Sequence, residues 1–203
     1  MTGFAGGVYA VVPVKDLRGT KSRLAPVLDP AARAGLTLYM MGRVVSRALE
    51  AGVDAVGVVS PDPIVLAEAL KRGAVPLLQE GQGLNPALEE GRAWAMGEGA
   101  SALLVLPADL PLIEADDVRA VLAEAAAAPV VIAPDGARSG TNALFLRPPD
   151  AVPFLFGPES FEAHLRAARD RRGPHETRVC ENEHLAFDLD TAGDLARYRG
   201  GDR

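Results

Sequence analysis

The chain has 203 residues, 48% of them hydrophobic, which suits one domain spanning residues 1–203 with a single core. Its formal net charge of -6 opposes non-specific attraction to nucleic acid or an anionic membrane, so an anionic ligand would need a local basic patch. The single cysteine, Cys180, excludes an internal disulfide and a cysteine-built zinc cluster, and suits a reducing compartment. No stretch reaches the roughly 18 to 20 apolar residues of a membrane span. The N-terminal MTGFAGGVYAVVPVKDLRG lacks the basic lead-in of a signal peptide, so a soluble cytoplasmic protein is expected.

Valine-rich runs at Tyr9–Val14, Ala55–Ser60, Val75–Leu78, Ala102–Leu106 and Val130–Ala133 alternate with alanine-rich segments of helical period. That alternation predicts an α/β fold whose mainly parallel sheet is covered on both faces. Ligands of such sheets gather in the loops after the carboxyl ends of the strands, which orders the search. The first of these loops, VVPVKDLRGTKSRLAPVL, concentrates Lys15, Lys21 and Arg23, with Arg18 as a further candidate, in a net acidic chain. Such a cluster is either a polyphosphate site or a solvated surface. A helix follows in which Leu36, Met40, Val44 and Ala48 recur every four residues, with Asp29 to cap it, Pro30 in its first turn and Gly52 at its end.

Further helices are predicted at Pro63–Arg72, Pro86–Met96 and Glu114–Ala127. The third valine run leads into QEGQGLNPALEEG, where Gly81 and Gly83 let backbone approach a flat ligand and Asn85 either caps the helix or hydrogen-bonds a base or ribose. The fourth run, in LLVLPADLPLI, delivers Asp109 just past its end. A buried lone carboxylate would cost several kcal/mol, so Asp109 is expected at the edge, as a magnesium ligand completed by substrate phosphates and water, or as a cap.

Beyond Ala133 come a turn at PDGARSG, a strand at Asn142–Leu146 and a helix at Phe161–Arg171. Gly140 and Thr141 offer a donor pair, and Gly157, Pro158 and Ser160 mark a helix start whose free N–H groups suit an anion. The Arg-rich segment Arg166–Arg178 reads as a solvated helix end and a loop. A strand at His184–Asp188 and a helix from Thr191 close the chain, with Asp188 and Asp190 at strand spacing on one side. Thr191 resembles an N-cap, with Asp194 completing a capping box. The three histidines, His164, His175 and His184, find no partner acid at a strand end and read as surface or packing residues. No GxxxxGK[ST] or GxGxxG is present.

Taken in order, VPVKDLRGTKSRLAP, GLNPALEEG, LPADLPL, SGTNALFL, FGPESFEAHL and FDLDTAGDL resemble the phosphoenolpyruvate or 2-phospho-L-lactate guanylyltransferases of deazaflavin coenzyme F(420) biosynthesis. LPADLPL is shared more widely with molybdopterin-guanylyltransferase-like enzymes, whereas KSRLAP, GTNAL and FGPESF are more specific. The resemblance implies a three-layer α/β/α domain of the nucleotide-diphospho-sugar transferase type. It also implies transfer of GMP from GTP to a three-carbon phospho-acid with release of pyrophosphate. By position, Asp109 and one of Asp188 or Asp190 would hold Mg2+, and Lys15, Lys21 and Arg23 would face the GTP phosphates. Gly83 and Asn85 would lie near the nucleoside, while Thr141, Gly157 and Ser160 would bind the phospho-acid. Richness in alanine, arginine and glycine suggests a GC-rich source and favours phosphoenolpyruvate as acceptor. The glycine-rich first loop of the wider superfamily is reduced to Gly19, which disfavours the alternative of a molybdopterin or sugar nucleotidyltransferase. A non-catalytic α/β binding domain is the alternative from another class. The expected partners are GTP and the phospho-acid, with a homodimer left open.

Overall fold

The computed structural model describes residues 6–172 and 176–200, so the expectation for His175 lies outside the described residues. Seven strands, β1 (Val8–Pro13), β2 (Ala55–Ser60), β3 (Val75–Leu78), β4 (Ala102–Val105), β5 (Val130–Pro134), β6 (Thr141–Leu146) and β7 (Thr177–Val179), form one sheet in the order β3-β2-β1-β4-β6-β5-β7. β3, β2, β1 and β4 run parallel to one another, β7 runs parallel to β5, and β6 alone runs against its neighbours β4 and β5. The helices are α1 (Pro30–Glu50), α2 (Pro63–Lys71), α3 (Leu84–Gly97), α4 (Ala115–Ala127), α5 (Ser160–Arg172) and α6 (Ala192–Gly200). None of the described helices is long and apolar enough to cross a membrane.

Successive strand residues point to opposite faces, and the two cores sort accordingly. Ala10 and Val12 of β1 join α1, α2 and α4 on one face, while Val11 joins α3 and α5 on the other, giving three layers. Asp29 accepts the Ala32 N–H at the start of α1 and Pro30 follows it, as the sequence pattern requires. On the opposite face α3 lies unusually close to the sheet. A Cβ at Gly91 would stand 2.5 Å from Val11 Cγ1, so only glycine permits this approach, which carries the amino end of α3 to the carboxyl edge of β1.

Three expectations change. β3 is an edge strand with Val75, Pro76 and Leu78 exposed, so it is not covered on both faces; proline is tolerated at such an edge because it need not donate inward. Residues His184–Asp188 form no strand. Their backbone is satisfied by separate contacts, Gly136 N–H to Ala186 O at 2.8 Å and Asn142 Nδ2 to Leu185 O at 2.8 Å, instead of a ladder. The segment Arg166–Arg178 is not only helix end and loop, since Thr177–Val179 pairs in parallel with Val130–Ile132 as β7.

Candidate active site

The carboxyl ends of β1, β3 and β4 open on a cavity of about 740 Å³. Lys15, Lys21, Arg23, Gly83, Asp109 and Asp190 all line it, so four loops that are distant in sequence meet at one edge. At its base the Lys21 ammonium donates to Asp109 Oδ2 at 2.8 Å and to Asp190 Oδ1 at 2.6 Å. The Lys21 side chain is only 8% exposed. Burial by itself would pull the ammonium pKa down, but the charges of Asp109 and Asp190 and their hydrogen bonds outweigh it and hold the group above its ordinary value.

The local sequence explains why these three groups meet. Asp109 follows β4 with Leu106, Leu110 and Ile113 fully buried around it, so the apolar neighbours fix the backbone that presents one acid. Its carbonyl accepts the Leu189 N–H at 3.1 Å, tying the two acidic segments together. Leu189 then packs with Leu24, Met40 and Leu195 in a small core of their own. This core explains the leucine between Asp188 and Asp190: it seats the loop of Lys21 against the loop of Asp190. Lys21 has φ 48°, a left-handed conformation that a non-glycine residue adopts at a cost of roughly 1–3 kcal/mol. Around it Arg33 Nε donates to Thr20 O, and Asp62 accepts the Leu17 N–H at 3.0 Å, bracing the strained loop from α1 and from the start of α2.

Asp188 stands behind this pair. It lines a second cavity, of about 360 Å³, with Asp135, Phe187 and Arg197. Burial raises its pKa, and the charges of Asp109 and Asp190 raise it further, while Asn142 hydrogen-bonds its carboxyl and opposes the shift. Asp188 and Asp190 thus line different cavities, in a segment that is not a strand, while their charges act on each other. Among the described residues no three of His, Cys, Asp and Glu form a ready-made metal centre. The convergence of two carboxylates on one ammonium nevertheless marks a point where a small cation is held, which fits an ion completed by substrate phosphates and water.

Several sequence expectations find other places. Arg18 pairs with Asp16, the hydrogen bonds between them holding the Asp16 pKa down to about 2, and it does not line the cavity. Gly83 is the residue before the first turn of α3, whereas Asn85 lies inside that helix, so it is no cap. Its amide grips Phe156 instead: Nδ2 donates to Phe156 O and Oδ1 accepts the Phe156 N–H, both at 3.0 Å. Thr191 and Asp194 do form the expected capping box at α6.

Thr141 and Ser160 meet each other and are not among the residues that line the larger cavity. The Ser160 hydroxyl donates to Thr141 Oγ1 at 3.3 Å, and both residues are buried. Gly157 has φ 142° with nothing within 4 Å of its Cβ position. His164, read from the sequence as a surface or packing residue, is fully buried and has a polar partner that the sequence did not show, Thr141 Oγ1 at 3.0 Å from Nδ1. A signal existed, since His164 falls beside Phe161, Leu165 and Ala168 on the buried stripe of α5.

The chain is similar over residues 8–198 to the family described as guanylyl transferase CofC like. A phosphoenolpyruvate guanylyltransferase of Rubrobacter xylanophilus is 64% identical over 191 residues, covering 94% of this chain and 92% of that protein. A 2-phospho-L-lactate guanylyltransferase of Methanothermobacter thermautotrophicus is 40% identical, over 92% of this chain and 81% of the other. In fold the chain is similar to a nucleotide-diphospho-sugar transferase structure from Desulfovibrio desulfuricans, with TM-score 0.73 at 17% identity over 97% of this chain and 88% of that one. It is also similar, with TM-score 0.62 at 13% identity over 87% of this chain and 69% of that one, to glucosyl-3-phosphoglycerate synthase of Mycobacterium tuberculosis in complex with Mn2+, UDP and phosphoglyceric acid. The family's span and the 64% identity together carry the assignment: this chain belongs to the CofC-like guanylyl transferases.

Proposed function

We propose that the chain transfers GMP from GTP to the phosphate of a three-carbon phospho-acid, phosphoenolpyruvate before 2-phospho-L-lactate, as a step toward the deazaflavin coenzyme F(420). The observation that carries this is the pairing of Asp109 and Asp190 across Lys21 at the base of a cavity lined by further cations. An oxygen of the acceptor's phosphate attacks the α-phosphorus of GTP, the bond to the β-phosphate's bridging oxygen breaks, and pyrophosphate leaves with that electron pair. The substrate supplies the nucleophile, so the protein's task is alignment and charge neutralisation.

Lys15, Lys21 and Arg23 serve the GTP phosphates, with Gly83 near the nucleoside and Asn85 steadying the loop at Phe156. Thr141, Gly157 and Ser160 take the phospho-acid. Asp109 and Asp190 would hold Mg2+, with the Asp188 charge behind them, and the ion would neutralise phosphate charge. The name of the 64% identical relative favours phosphoenolpyruvate as acceptor. Pyrophosphate release from GTP and Mg2+ with each acid in turn tests the proposal. Release with phosphoenolpyruvate, abolished by chelation, is expected; no release with any three-carbon phospho-acid would sink it, and GTP binding without release would favour a non-catalytic domain.

A further inference from the structure

We infer that His164 is a positioning residue for the phospho-acid: its imidazole, held as the Nδ1–H tautomer, leaves the Thr141 hydroxyl with only its proton to offer and so makes it a fixed donor for an anion. This rests on the phospho-acid site proposed above. The tautomer follows from the partners of the ring. The Leu155 backbone N–H donates to Nε2 at 2.9 Å, and a neutral imidazole that accepts at Nε2 carries its proton on Nδ1. Nδ1 lies 3.0 Å from Thr141 Oγ1, so the ring donates and the hydroxyl oxygen accepts, the Ser160 backbone being a second partner of the ring. The Ser160 hydroxyl donates to the same oxygen at 3.3 Å. Both lone pairs of Oγ1 are then taken, and among the described residues none accepts the Thr141 proton.

A carboxylate or phosphate oxygen is the acceptor this arrangement suits, since a hydrogen bond to an ionised partner is about twice as strong as a neutral one. The ring stays in this state across the neutral range, because burial holds its pKa down to about 4 and opposes the imidazolium. The same ring also fixes the loop that precedes Gly157. Phe156 packs edge-on to it, with centroids 4.7 Å apart at 67°, while Leu155 is bonded to Nε2. One imidazole thus holds the Thr141 hydroxyl of β6 and the loop before Gly157, while the Ser160 hydroxyl of α5 is bonded to Thr141 in turn.

Nitrogen-15 spectra of the wild-type chain at pH 7 are expected to show His164 as the Nδ1–H tautomer, whereas an Nε2–H tautomer or an imidazolium would overturn the inference. Kinetics supply the second test. His164→Gln, whose amide can replace Nε2 but not Nδ1, is expected to raise KM for phosphoenolpyruvate about tenfold, with KM for GTP within about twofold. His164→Asn, whose amide nitrogen replaces Nδ1–H, is expected to recover most of that loss. Equal effects of the two substitutions, or a parallel rise in both KM values, overturn the role of His164. If the wild-type chain releases no pyrophosphate with any phospho-acid, the proposed function fails and takes the anion role of Thr141 with it. A wild-type chain that turns over without the split removes His164 alone.

Discussion

Two buried nitrogens organise this molecule in opposite ways. Lys21 is charged, joins two carboxylates from the loop after β4 and from the C-terminal segment, and lines an open cavity. His164 is neutral, joins a hydroxyl and a backbone amide, and lies in a closed interior. The difference fits the separate role proposed for each region. Around Lys21 two carboxylates face one ammonium beside the place proposed for phosphates and a cation, whereas the partners of His164 are neutral groups. The first arrangement suits charge neutralisation in a transition state, and the second suits orientation of a small acid.

The largest loss of activity is expected from removing charge at the Lys21 centre. Asp190→Asn is expected to lower kcat by on the order of a thousandfold, and Asp188→Asn by about tenfold, since only Asp190 meets the cation directly. Steady-state kinetics with pyrophosphate detection measures both, and equal losses would erase the distinction drawn between the two acids. A smaller effect belongs to the clamp that joins the two regions. Asn85→Ala removes both bonds to Phe156 and is expected to cost about 1–3 kcal/mol of stability and to raise KM for the acid, measured by urea unfolding and initial rates.

The neutral region makes its own prediction with pH. His164 is held at about 4, below its ordinary 6.5. Between these values the unfolded chain binds a proton that the folded chain refuses, so folding weakens as pH falls through that window. The loss is on the order of 3 kcal/mol and is complete near pH 4. Urea midpoints at pH 7 and pH 4.5 are expected to differ more for the wild-type chain than for His164→Gln, other groups cancelling in the comparison.

The two regions were also unequally legible in the sequence. β2 and β3 start and end where their apolar runs do, and Asp29 with Pro30 marks the start of α1, because local pattern and capping decide those features. The Lys21 centre was half legible: the residue types and their strand ends were readable, but Leu189 packing on Leu24 and Met40, which brings Asp190 to Lys21, is a contact across the whole chain. The supposed strand at His184–Asp188 misled because alternation there serves isolated contacts. His164 carried no motif that distinguished it from packing, since its chemistry lies in the Leu155 amide and Thr141 hydroxyl that the fold brings to it.

Asp109 is proposed as a reacting-site ligand and not a cap. This role is tested most directly by kcat for pyrophosphate release by Asp109→Asn, measured beside its circular dichroism and unfolding midpoint. Near-complete loss of turnover with the fold kept is the predicted result. Turnover close to wild type, with a stability loss of about 1 kcal/mol, would contradict the account and return Asp109 to a capping role.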